Sequence, residues 1–257
     1  YLINEIAESR KDCVVFISPE EADVVNTEGN ELTNITARRN ALPSTSYAVM
    51  DGSFKNIFDR YNSMYRWIPM NADVAGICAQ ADNVNAYISP AGFTRGNIKG
   101  AEFLAYVSNN AERDDLYING VNPIASFPGK GKVLFGDKTL LARPSSFDRI
   151  NVRRLFIILE KAIANAAENL LFEFNDDFTR LNFVSMVEPF LRDIQGRRGI
   201  EDFKVICDGT NNTPVVINRN EFRGDIFIKP TKSINFIGLN FVAVASGVEF
   251  SEVVNAI

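Results

Sequence analysis

An α/β layer followed by an α+β unit with a mixed sheet is the fold class predicted by this 257-residue sequence. Short unbroken apolar runs at residues 13–17 and 47–50 read as strands buried on both faces, the habit of parallel sheets. Helical stretches alternate with them, which indicates an α/β layer. After residue 143 the order changes. Two long amphipathic helices come first and strand signals cluster behind them.

Residues 2–10 read as a helix with Leu2, Ile3, Ile6 and Ala7 on one face. Cys13, Val14, Val15, Phe16 and Ile17 make the first strand, ended by Ser18 and Pro19. Residues 19–45, rich in Asn, Glu and Thr, mix helix and surface loop. Tyr47, Ala48, Val49 and Met50 make a second strand, stopped by Asp51 and Gly52. Residues 61–68 are expected to pair as a strand with the segment before them. Asn71 is placed to cap a helix over 72–82, with Val74, Ala75, Ile77, Cys78 and Ala81 on one face. Residues 83–100 read as an exposed loop, 101–109 as a helix, 114–119 as the lead into a turn at Gly120, and 132–135 as a strand. Arg143, Pro144, Ser145 and Ser146 form the best internal boundary, which gives a first domain over 1–142 and a second over 143–245.

In the second domain, Asp148 or Asn151 is expected to cap a helix reaching residue 169. Its apolar stripe is Val152, Leu155, Phe156, Leu159, Ile163 and Ala166. Phe172, Glu173 and Phe174 alternate briefly. Asp176 and Asp177 open another helix that runs to residue 195 and stops at Gly196, and Pro189 is expected to kink or divide it. Strand signals follow at 203–207, 224–230 and 233–245, with Gly238 as a candidate bulge.

Composition narrows the function. Hydrophobic residues are 46% of the chain and Phe occurs 20 times, enough for a well-packed aromatic core. A net charge of -5 argues against a general nucleic-acid-binding domain. The chain has no histidine, so neither it nor an identical neighbour supplies a Ser-His or Cys-His mechanism. Cys13, Cys78 and Cys207 lie far apart and read as reduced thiols. No apolar run reaches the ~18 residues of a membrane helix, so membrane insertion is not expected. Tyr1 through Glu5 reads as already inside a helix, and the sequence is expected to be a fragment with more chain upstream.

Residues 131–139 nearly match a phosphate-binding loop, but Asp137 stands where the motif needs lysine. The residues between the glycines are apolar and strand-like, so a turn entering and leaving a strand is the better reading. Glu168, Glu173, Asp176 and Asp177 form an acidic cluster. Helix capping explains the aspartate pair more simply than a divalent cation does, and no cofactor or metal is expected. Arg153, Arg154, Arg197 and Arg198 are two basic pairs. They read either as solvated or internally paired charges, or as a charged surface complementary to a partner protein.

The chain ends unusually. A possible hinge at Gly247 precedes Val248, Glu249, Phe250, Ser251, Glu252, Val253 and Val254, which mix strand-forming and acidic residues. Such a segment pairs in its own sheet or adds to the edge of another subunit.

Several segments, taken in their order and spacing, resemble the contractile tail sheath protein of myovirus-type phages. They are residues 61–82; Gly120, Val121, Asn122, Pro123 and Ile124; residues 131–139; Ile150, Asn151, Val152, Arg153 and Arg154; residues 172–176; and residues 207–230. None of these is a catalytic motif. The resemblance implies a structural subunit of a homo-oligomer: hexameric rings stacked helically around a tail tube protein, capped by baseplate and tail terminator proteins. Such an array contracts to drive the tube through the host envelope. It implies no direct nucleic-acid contact, and a virion location after assembly in the host cytoplasm. It further implies that residues 246–257, with 247–254 at their centre, are an arm that completes a neighbour's sheet, and that an N-terminal arm and outer domains lie upstream. On residues alone, an α/β enzyme, a nucleotide-binding protein or another tail structural protein stays open.

Overall fold

The computed structural model describes residues 1–235. A π-helical turn, Leu2–Ala7, runs into α1 (Glu8–Arg10), and β1 (Val15–Ile17) follows. The next helices are α2 (Glu21–Val24) and α3 (Glu31–Asn40), which lead to β2 (Ala48–Asp51). A hairpin of β3 (Phe54–Asp59) and β4 (Met64–Pro69) precedes α4 (Asn71–Asp82). Then come β5 (Phe103–Leu104), α5 (Asn110–Ile118), β6 (Val121–Asn122), and the hairpin β7 (Ile124–Phe127) with β8 (Gly131–Leu134). The remaining elements are α6 (Ile150–Ala167), α7 (Asp177–Gly196), β9 (Ile200–Ile206), α8 (Pro214–Asn218) and β10 (Asp225–Pro230).

The centre of the first half is a three-stranded parallel sheet in the order β1-β2-β6. Every residue of β2 is buried, because both faces of the sheet are covered. Ala48 and Met50 pack into one apolar cluster with Ile3, Val24, Ile35, Leu116 and Val121. Val49, pointing the other way, packs with Met70, Val74, Ile77, Ile124, Leu134 and Ile150. The two expected α/β strands are therefore present and parallel. In the second half, β9 and β10 pair antiparallel, and Leu155, Leu159, Phe183, Val187, Leu191, Ile194 and Ile200 form a third cluster between the helices and that ladder. Among the described residues this sheet has these two strands, and most of the third strand expected in it, 233–245, lies outside the described residues.

Residues 101–109 are extended, not helical. Leu104, Tyr106 and Ser108 are buried while Phe103 and Val107 are exposed, the period of two that belongs to a strand. Phe103 and Leu104 add to the edge of β3. The helix starts at residue 110, where Asn109 accepts from the Glu112 amide and Glu112 returns a carboxylate to the Asn109 amide, both at 2.9 Å.

Capping also differs from expectation at two helices. Asn71 is the first residue of α4, not its cap, and its amide donates to Ser18 Oγ at 2.9 Å from the end of β1. Neither Asp148 nor Asn151 caps α6, since Arg149 holds that position. Asp176 caps α7 as expected, accepting from Thr179 N at 2.8 Å. Pro189 does not divide α7, which runs through it, because Phe183, Val187, Leu191 and Ile194 anchor both sides of the proline on one buried face. Phe172, Glu173 and Phe174 are a turn, not a strand, and Phe172 has a φ of 72°. The last predicted strand begins with residues 233–235, which are irregular. Its remainder, Gly238 and the arm lie outside the described residues.

Candidate functional site

Helix α6 ties the two halves together. Ile150 enters the cluster of the first half, while Leu155 and Leu159 enter that of the second. Arg153 is buried between the rings of Tyr47 and Phe147, 4.1 Å from each centroid, and its Nη2 donates to Ser46 Oγ at 2.7 Å. Burial lowers its pKa below the ordinary arginine value. Arg154 donates to the Cys78 carbonyl at 2.9 Å and ion-pairs with Asp82 at the end of α4. Of the two readings the sequence left open, Arg153 and Arg154 take the internally paired one within the chain. Arg197 is exposed and pairs with Asp193 one turn back, at 3.1 Å. Arg198 is exposed beside it. Of the four arginines, only these two face outward.

The loop after β8 carries the residue that spoiled the phosphate motif. Asp137 is buried, and its carboxylate gathers donors from separate parts of the chain. Oδ1 accepts from Tyr117 Oη at 3.0 Å, Arg149 Nη1 at 3.2 Å and Asn235 Nδ2 at 3.2 Å. Oδ2 accepts from Ser89 Oγ at 3.0 Å and from Ser233 Oγ. The backbone around it is fixed by Asn122, fully buried, whose Oδ1 accepts from Lys138 N at 2.7 Å and whose Nδ2 donates to Lys138 O at 2.8 Å. Gly136 allows this approach, because a Cβ there would sit 2.8 Å from Asn122 Oδ1. A cavity of about 910 Å³ opens over the node, bordered by Arg95, Arg113, Tyr117 and Asp137 as well as by Ser233 and Asn235. Burial and the neighbouring Asp137 carboxylate push the Tyr117 phenol well above its ordinary value.

The β9–β10 ladder packs one face on α6 and α7 through Phe203, Val205, Ile226 and Ile228. Each strand pairs only with the other among the described residues, so each has an outer edge of backbone N–H and C=O groups. At the α6–α7 turn, Leu171, Phe172, Phe174, Phe178 and Leu181 are exposed apolar side chains close together in sequence.

The chemical alternatives find little support. Residues Gly131–Leu134 form β8, paired with β7, so no phosphate-cradling turn exists there. Lys138 Nζ lies 4.4 Å from the Tyr117 ring centroid. In the acidic cluster, Asp176 is occupied in capping and Asp177 pairs with Arg180 at 2.9 Å. Among the described residues no group of three acidic or cysteine side chains is arranged to hold a metal ion.

Two family models divide the chain between them. The phage tail sheath protein central domain matches residues 2–140, and the phage tail sheath C-terminal domain matches residues 142–243. The chain belongs to the phage tail sheath family. Among curated sheath relatives, the tail sheath protein of Vibrio phage KVP40 is 47% identical, over 99% of this chain and 40% of that protein. The tail sheath protein of Enterobacteria phage T4 is 43% identical, over 96% of this chain and 39% of that protein. This sheath-family chain thus spans about 40% of the length of the curated relatives it matches. Its fold is also similar to solved contractile assemblies. One is the anti-feeding prophage baseplate in its contracted state, with a TM-score of 0.75 at 18% identity over 94% of this chain and 68% of that one. Another is the sheath complex of an extracellular contractile injection system, also contracted, with a TM-score of 0.73 at 21% identity over 82% of this chain and 60% of that one.

Sequence reasoning missed the Asp137 node. The only signal was the aspartate itself, out of place in a glycine-bounded strand and read there as a defect in another motif. Its partners come from residues 89, 117, 149, 233 and 235, a convergence no local pattern announces.

Proposed function

We propose that this chain forms part of the subunit of a phage contractile tail sheath, with a structural role and no catalysis. The subunits assemble as hexameric rings stacked around a tail tube, between baseplate and tail terminator proteins. They contract to drive the tube through the host envelope during genome delivery. The subunit assembles in the host cytoplasm and resides in the virion. The observation that carries this reading is 47% identity to a tail sheath protein along 99% of the chain.

Residues 1–142 and 143–245 act as two domains of that subunit, and residues 246–257 act as an arm. Residues 247–254 add as a strand to the outer edge of a neighbouring ladder of the β9–β10 kind. Strand addition suits a contracting array. Backbone hydrogen bonds hold neighbours together, while a hinge at the root of the arm lets rigid bodies turn relative to one another. Arg197 and Arg198, the two outward-facing arginines, contribute charge to a contact with a partner protein.

Negative-stain electron microscopy of the full-length protein tests the proposal. Striated tubes or stacked rings are expected. Removal of residues 246–257 is expected to leave a folded protein that does not polymerise. Dispersed monomers from the full-length protein across concentration and salt would overturn the assembly reading, and normal tubes from the truncation would overturn the arm.

A further inference from the structure

Residues 231–235 do not leave the body freely after β10. Thr231 N donates to the Gly199 carbonyl at 3.2 Å, and Asn151 Nδ2 donates to the Thr231 carbonyl at 3.4 Å. Two residues on, Ser233 donates to the buried carboxylate of Asp137, and Asn235 donates to that carboxylate and to the Tyr117 hydroxyl. Ser233 Oγ also lies 3.1 Å from Asn235 Oδ1. The side chain of Ile234 is exposed. An irregular pentapeptide is thus pinned at one end through Thr231 and at the other through the side chains of Ser233 and Asn235, without a sheet ladder.

Asp137 is suited to this task. It is buried beside the Arg149 guanidinium, 3.2 Å away, and charge-assisted hydrogen bonds in such a site are stronger than neutral ones. Its backbone cannot drift, because Asn122 brackets Lys138 and the Asp137 carbonyl accepts from Ile150 N at 2.8 Å. Its internal partners, Ser89, Tyr117 and Arg149, leave acceptor capacity directed at the cavity through which residues 233–235 pass. The sequence beyond residue 235 therefore starts from a point fixed on the first half of the chain, although β10 belongs to the second.

We propose that Asp137 is the positioning residue for the C-terminal segment: its carboxylate clamps Ser233 and Asn235 and so sets where, and in which direction, the following residues leave the subunit. In an array this point is the pivot about which a linked neighbour turns, so loosening it costs assembly without touching the linking strand itself. The inference rests on reading residues 246–257 as an assembly arm.

The test compares full-length wild type with the S233A/N235A double variant, which leaves Ser89, Tyr117 and Arg149 on Asp137 and so preserves the buried node, and with D137N. The first readout is tryptic cleavage after Lys232, an exposed residue within the clamped segment. Release of the clamp is expected to speed that cleavage by about tenfold, as expected for loss of local rather than global stability. Hydrogen exchange in β9 and β10 is expected to stay as in the wild type. The second readout is tube assembly, expected to fall to short or absent tubes. Unchanged cleavage in S233A/N235A overturns the clamp. Faster cleavage with normal tubes overturns the positioning role. The truncation lacking residues 246–257 runs in parallel. If it too forms normal tubes, the arm reading has failed; if it alone fails to assemble, the arm stands and the pivot does not.

Discussion

Arg153, in the second half of the chain, lies 4.1 Å over the ring of Tyr47 in the first and donates from Nη1 to the Tyr47 hydroxyl at 3.1 Å. Phe147 closes the opposite face of the guanidinium. Planarity is what makes this contact work, since one flat cation stacks on two rings and still reaches two hydroxyls. Arg153→Ala opens a gap between the rings and strands both hydroxyls, and is expected to cost about 2–4 kcal/mol. Arg153→Lys, a point charge without a stacking plane, recovers less than half of that. Urea denaturation checks both, and an alanine variant as stable as the wild type would show that the stacked Arg153 guanidinium does not stabilise the fold.

Gly224 is held to glycine by crowding. A Cβ there would lie 2.5 Å from Cε1 of Phe183, a core residue of α7. Gly224→Ala is expected to destabilise by about 1–3 kcal/mol through overpacking. Combining it with Phe183→Leu is expected to cost less than the sum of the two changes, because the smaller side chain vacates the space. A double-mutant cycle by thermal melting decides the matter, and additive losses would refute the steric cause.

Asp51, at the end of β2, is fully buried, and burial pushes its carboxyl from 3.8 up to about 7 against the opposing help of Ser18 Oγ at 2.6 Å and Ser53 N at 3.3 Å. The unfolded chain releases this proton near 3.8 and the folded chain near 7. Between those values the folded state holds the extra proton, so stability falls as pH rises through the window and the loss is complete above it. The loss is about 4 kcal/mol. Asp51→Asn is expected to flatten that stretch of the pH profile and to melt higher than wild type at pH 8. Identical profiles for the two proteins between pH 4 and 8 would show that Asp51 does not titrate there.

Phe172 sits at a φ of 72° with its ring wholly in solvent. The turn is closed by Glu173 N donating to the Leu170 carbonyl at 3.2 Å and takes a left-handed residue at 172, a position that suits glycine better than an exposed phenylalanine. Phe172→Gly is therefore expected to raise the stability of the isolated subunit by about 1 kcal/mol. A lower melting temperature would mean that the aromatic ring makes a stabilising contact.

Lys138 tests the reading of the glycine-bounded loop. Lys138→Ala is expected to cost up to about 1 kcal/mol, the worth of its cation–π contact with Tyr117. Magnesium-ATP is expected to shift the melting of neither protein. A shift in the wild type that the alanine variant loses would restore a nucleotide site.

Local pattern was enough for much of this fold. The apolar run around Val49 and the stripe of Leu155 and Leu159 are buried as expected and the run around Val15 is half-buried, because burial follows side-chain chemistry and backbone period. The order of motifs from Gly120 to Asp176 likewise sufficed for the family. Other features depended on residues far apart in the chain. Residues 101–109 carry enough apolar character for a helix, yet the open edge of β3 made a strand of Phe103 and Leu104. For Arg153 and Arg154 the sequence left internal pairing and a partner surface both open, and Tyr47, Phe147 and Asp82 are the internal partners that only folding brings to them. Asp137 looked like a flaw in a phosphate loop until folding placed Tyr117, Arg149, Ser233 and Asn235 around its carboxylate. A buried charge takes its role from the partners that desolvation forces upon it, and those partners exist only once the chain has closed.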